Sequence, residues 1–106
     1  MEEYLVVLVT TPSREVGRDL GRTLLEQGLA ACVNIVAGIE SLYVWGGELC
    51  SDEEALLVIK TRADVFNELD AAIQDLHPYD VPEIIAMPVA AGSQDYMAWI
   101  NEVVAS

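Results

Sequence analysis

The chain has 106 residues, with 18 acidic against 5 basic side chains and a net charge of −13. That length supports one small core, and so negative a field argues against a nucleic-acid or anionic-membrane binder, both of which concentrate Lys and Arg on one face. Yet 53% of the residues are hydrophobic and the mean hydropathy is +0.33, which excludes an acidic disordered chain and leaves a surplus of apolar surface for an oligomer interface to cover.

Residues 4–10 are a continuous apolar, β-branched run ending at Thr11-Pro12, the pattern of a strand central in a sheet. The run is too short to cross a membrane and follows an acidic start, Met1-Glu2-Glu3, so a soluble cytoplasmic protein is expected. Ser13 offers an N-cap oxygen, and Val16, Leu20 and Leu24 recur at helical spacing until Gly28. Gly17 and Gly21 each cost this helix about 1 kcal/mol relative to alanine, which suggests close backbone approach or a loosely optimised helix. Arg14, Arg18 and Arg22 form a stripe in which Glu15, Asp19 and Glu26 are spaced for solvated ion pairs.

Residues 31–36 resume strand chemistry, Gly38 predicts a bulge or bend, and 39–45 continue to Gly46-Gly47, a favoured two-residue hairpin turn. Residues 55–59 form the apolar centre of the returning strand, so the tip at 42–49 extends beyond an ordinary sheet as an arm able to pair with a neighbour. Val65, Phe66, Leu69, Ile73 and Leu76 mark a second helix that must stop near His77, because Pro78 disfavours helical geometry before it. A rigid turn at 79–82 leads to a fourth strand at 83–89. Ser93 then caps a last helix with Tyr96, Trp99, Ile100 and Val103 on one face.

The order β-α-β-β-α-β plus a C-terminal helix predicts an α+β, ferredoxin-like antiparallel sandwich over residues 1–106. Helices cover one sheet face and leave the other open. Cys32 and Cys50 are two cysteines in no C-x-x-C arrangement and are expected as free thiols, Cys32 in the core.

Ala30-Ala31-Cys32-Val33-Asn34-Ile35, Ser41-Leu42-Tyr43-Val44-Trp45-Gly46-Gly47, Glu54 through Lys60-Thr61, His77-Pro78-Tyr79-Asp80-Val81-Pro82-Glu83-Ile84 and Asp95-Tyr96-Met97-Ala98-Trp99 together resemble the CutA family of divalent-cation tolerance proteins. The resemblance implies a homotrimer of ferredoxin-like subunits, similar to the PII signalling proteins, with the long hairpin pairing between subunits. It also implies a link to copper or other divalent cations. The chain departs from the family at Ala37, where proline is frequent, at Glu48, where a basic residue is frequent, and at Val9 and Leu76, where some copper-binding members carry Cys and His.

His77 is the only histidine. Alone it cannot assemble a tetrahedral site, but with Asp80 and Glu83, or across a symmetric interface, it is a candidate divalent-cation ligand. The competing reading is a helix-terminal histidine bonded to the last carbonyls. Lys60 lies on the same strand face as Glu54, so either the two form an ion pair or Lys60, with Tyr43 and Trp45, lines a cleft for a small anion. Trp45 is expected at a subunit contact. No G-x-S-x-G, Walker or H-E-x-x-H motif occurs, so catalysis finds no support and no cofactor is required.

Three functional readings follow. The first is a non-enzymatic trimer that binds copper or another divalent cation weakly through His77, Asp80 and Glu83. The second is a PII-like sensor of an anionic metabolite held by Lys60, and by Arg62, in intersubunit clefts beside Tyr43, Trp45 and Glu54. The third is a trimeric protein-interaction scaffold. Self-repulsion of the −13 chain opposes assembly in all three. Raising NaCl from 0.1 to 1 M, where the Debye length falls from about 10 to 3 Å, is therefore expected to raise the melting temperature. A flat or falling profile in scanning calorimetry would show that the acidic groups are already paired or dispersed.

Overall fold

The computed structural model describes residues 3–104; Met1, Glu2, Ala105 and Ser106, at the ends of the expected 1–106 domain, lie outside the described residues. The elements run β1 (Tyr4–Thr11), α1 (Arg14–Glu26), β2 (Cys32–Trp45), β3 (Glu48–Arg62), a turn of 3-10 helix (Ala63–Val65), α2 (Phe66–Leu76), β4 (Ile85–Pro88) and α3 (Gln94–Val103). Strand order is β2-β3-β1-β4 and every pairing is antiparallel, in agreement with the ferredoxin-like plan. The fourth strand is shorter than expected. Glu83 and Ile84 precede it in the loop after α2.

Period-two alternation divides the sheet into two faces. Val7 and Val9 of β1 and Leu57 and Ile59 of β3 pack against Leu20 and Leu24 of α1 and Leu69 and Ile73 of α2, forming the main core. Ser13 caps α1 by accepting from the Val16 amide, and Gly28 leaves the helix at a φ of 72°. The two helix glycines have a packing reason. A Cβ on Gly17 would stand 2.9 Å from Leu57 Cδ2, and one on Gly21 would stand 3.1 Å from Val33 Cγ1. α3 closes one end of the sheet through Ala31, Val65, Ile100 and Val104. Arg62 holds it there, donating to the Asn101 and Val104 carbonyls while paired with Asp64 at 2.9 Å.

The other face carries no helix from α1 or α2. Register places Val6, Leu8 and Thr10 of β1 beside Lys60, Val58 and Leu56 of β3, with Ile85 and Met87 of β4 and Cys32, Asn34 and Val36 of β2 continuing the same face. Cys32 is thus half-buried on the open face, opposite Lys60, and not in the core. Val36, Ile85 and Met87 are exposed.

The pairing of β2 with β3 shifts by one residue between Val36 and Ile39, where Gly38 takes a φ of 75°. This bulge inverts the side-chain parity of β2, so Ser41, Tyr43 and Trp45 fall on the open face instead of the helix face. β1 pairs with β3 only as far as Thr11↔Ala55. Residues 39–54 therefore project as a two-stranded arm, turned at Gly46 and Gly47 with φ values of 61° and 80°, and the molecule is 43 Å in its longest dimension.

Gly17→Ala removes an unfavourable helix residue but forces a methyl against fully buried Leu57. The overpacking exceeds the propensity gain, and a net loss of about 1–2 kcal/mol is expected. Urea unfolding measures it; a stabilised variant would show that α1 can lift away from the sheet.

Candidate functional site

The base of the arm and the loop after α2 enclose a cleft of about 680 Å³ on the extension of the open face. β2 and β3 supply Tyr43, Trp45, Asp52 and Glu54, and the loop supplies Tyr79, Asp80 and Glu83. Glu40 brings the carboxylates in its wall to five, and no Lys, Arg or His is among the described residues that line it.

Two phenols order this wall. Tyr43 donates to Asp52 across the arm, which pushes its pKa up to about 12. Tyr79 reaches from the loop to donate to Glu54 Oε2 at 2.7 Å; burial first, and then this bond, raise the phenol well above its usual range. Glu54 is itself buried, at 9% exposure. Glu83 stands on the rim with its carboxyl pKa raised, by partial burial and then by the neighbouring Glu54.

His77 is buried behind the loop. Its Nε2 donates to the Thr10 carbonyl at 2.7 Å, and its Nδ1 accepts from the Tyr79 amide at 3.1 Å. A carbonyl only accepts and an amide only donates, so the ring is the neutral Nε2-H tautomer. Both nitrogens are engaged, leaving His77 to position the loop instead of offering a lone pair to a metal. It ends α2, as the helix-terminal reading expects, but it bonds to β1 instead of to the helix's last carbonyls.

The structure therefore brings Tyr43, Trp45, Glu54, Asp80 and Glu83 into one cleft and leaves His77 and Lys60 out of its lining. The expected Lys60–Glu54 ion pair is not formed. Lys60 donates to Asn34, with Cys32 Sγ 3.9 Å away, and Glu54 is taken by Tyr79. Period-two alternation put both on one face, but six residues of strand, about 20 Å, separate them. Arg62 holds α3 and is likewise unavailable to a ligand. The α1 arginines form no ion pairs either; among the described residues the one salt bridge is Arg62–Asp64.

Tyr79 and Asp52 are cleft residues that the sequence reading did not single out as a site. The hairpin register set by Gly46-Gly47 was enough to place Asp52 near Tyr43. Tyr79 needed the path of the loop. As for a metal, the carboxylates attract cations, but among the described residues no three His, Cys, Asp or Glu side chains converge closely enough to hold an ion. One subunit thus offers an electronegative cleft without a finished coordination shell.

A raised carboxyl pKa means that the folded chain holds the Glu83 proton more tightly than the unfolded chain does. The ionised group therefore costs stability above that pKa, and the cost is relieved as the pH falls through it. Glu83→Gln is expected to raise the melting temperature at pH 7–8, with the gain shrinking toward pH 4. A gain independent of pH would remove the charge as its cause.

The profile of the CutA1 divalent ion tolerance protein family matches residues 5–103. The chain is similar to the divalent-cation tolerance protein CutA of Thermus thermophilus, with 50% identity over 102 residues covering 96% of this chain and 97% of that one. It is also 49% identical to a chloroplastic CutA protein of Arabidopsis thaliana over 92% of this chain, but spans only 53% of the plant protein. The crystal structure of CutA1 from Oryza sativa superposes with a TM-score of 0.95 at 42% identity, covering 98% of this chain and 95% of that one. None of these is named as an enzyme. No helix among the described residues is long and apolar enough to cross a membrane. Together the matched profile, the identities and the shared fold bear out the sequence resemblance: this chain belongs to the CutA1 divalent ion tolerance family.

Proposed function

We propose that the protein is a non-catalytic homotrimer that takes part in divalent-cation tolerance by binding cations weakly at the acidic cleft. The carrying observation is the cleft wall itself, with five carboxylates and no cationic side chain among the described residues that line it. Asp80, Glu83 and Glu54 are the ligands of this reading, with Tyr43, Tyr79 and His77 fixing the wall. Copper binds tightest of the first-row divalent ions at a given N/O site, so it is the ion expected to register first. Among the described residues no three such side chains converge within one subunit, so the binding of this reading is weak.

The trimer is supported by exposed apolar surface. Leu42, Val44, Trp45 and Leu49 are 63–79% exposed on the arm, and a two-stranded ribbon of this kind is marginal in water without a partner. Three subunits closing a ring cover the arm and the open sheet face together. Cys32 and Cys50 are free thiols, in keeping with a reducing compartment such as the cytoplasm. A PII-like sensor of anions would need cations in the cleft, whereas Lys60 and Arg62 of the same subunit lie elsewhere. The acidic wall favours a cation.

Copper(II) titration by calorimetry at 0.15 M NaCl tests the site. Replacing Glu54, Asp80 and Glu83 by their amides is expected to weaken binding about tenfold, roughly 1.4 kcal/mol. His77→Gln should weaken it less, because the imidazole already bonds elsewhere. A control that neutralises exposed Glu15, Glu68 and Asp75 on the helices should change little. Equal losses in the control and the cleft variant would assign binding to the general negative field.

A further inference from the structure

Lys60 is the only lysine of the chain. It stands at one end of the open face, opposite Cys32, with no carboxylate within ion-pair distance among the described residues. At the other end of the same face lie Glu54 and Glu83 and the rest of a cleft that has no cation. Between them runs an apolar strip of Val6, Leu8, Leu56, Val58, Ile85 and Met87. Lys60 has only neutral partners, Asn34 and Cys32, and the carboxylate wall has no cation among the described residues that line it, so opposite charges on one face are each left to be matched from outside the subunit.

They cannot meet within one subunit, since Lys60 is about 20 Å of strand from Glu54 on the same β3. We infer that the cleft of each subunit is completed by Lys60 of a neighbouring copy, whose ammonium sits against Glu54 and Glu83 while the apolar strips of the two copies cover each other. The contact is heterologous: the cation end of one face meets the acid end of the next, so a closed ring satisfies every cleft and every lysine. This rests on the trimer proposed above and names the residue that the partner contributes; a divalent cation then competes with that ammonium for Glu54 and Glu83 and keeps Asp80 and Glu40 to itself, which makes its binding weak. It also explains why an acidic chain keeps one lysine on an otherwise apolar sheet. The ion pair fixes which end of a neighbour's face meets the cleft, a specificity that apolar contact alone does not provide.

Zero-length carbodiimide coupling of the intact protein tests this, because it joins only amines and carboxylates already in contact. Lys60 and the chain's α-amine are the only amines available. Native mass spectrometry first reports the subunit number, and the coupled protein is then digested and sequenced. The expected product links Lys60 to Glu54 or Glu83. In trimers mixed from 14N- and 15N-labelled chains it carries both labels. Lys60→Arg keeps the charge but removes the reactive amine, and is expected to remain trimeric while losing that product. A trimer that couples Lys60 to carboxylates outside the cleft, or only through the α-amine, overturns the inference and leaves the trimer standing. A monomer in native spectra overturns both.

Discussion

β3 is the strand on which everything else is hung. It pairs with β2 on one side from the hairpin turn inward and with β1 on the other from Ala55 to Arg62, so its alternation decides which side chains meet the helices and which do not. Leu57, Ile59 and Thr61 point into the core. Glu54, Leu56, Val58 and Lys60 take the opposite face. The single extra residue of β2 at Gly38 then carries Tyr43 and Trp45 onto the face of Glu54, because one inserted residue reverses the parity of all that follow. Without that bulge the arm's aromatics would stand on the helix side, and the cleft would lose two of its walls.

The same alternation explains how an acidic chain with a high apolar content stays folded. Its helix-covered face holds one compact core, sealed by the close approach of α1 at Gly17 and Gly21. Its open face is graded, with a cation at one end, an apolar middle and carboxylates at the other. Polar side chains that the fold buries find partners on other elements of the same subunit. Thr61 donates to the Leu29 carbonyl at 2.7 Å, His77 bridges β1 and the loop, and Arg62 joins β3 to α3. Buried polar groups left without partners would cost far more than these bonds contribute.

Much of this was legible in residue order. Ser13 and Gly28 bound α1, Gly46-Gly47 marks the hairpin turn, Pro78 ends α2, and the β-α-β-β-α-β order carries the fold class. The errors have a common cause. The apolar neighbours of Cys32 point it to the core, yet both faces of this sheet are apolar, so composition cannot choose between them. A shared face makes Lys60 and Glu54 candidates for an ion pair. Parity reports side, not distance, and Tyr79 was nearer.

Periodicity, turn residues and caps are local properties, and from them the sequence by itself determined the elements, their order, the bulge and the existence of an uncovered face. The tertiary structure alone decided what stands opposite what. The loop after α2 returns over β1, where His77 meets Thr10 and Tyr79 meets Glu54, residues 67 and 25 positions apart. Contacts of that separation depend on the paths of two chain segments through space, which no local preference encodes, and they turned scattered carboxylates into one cleft.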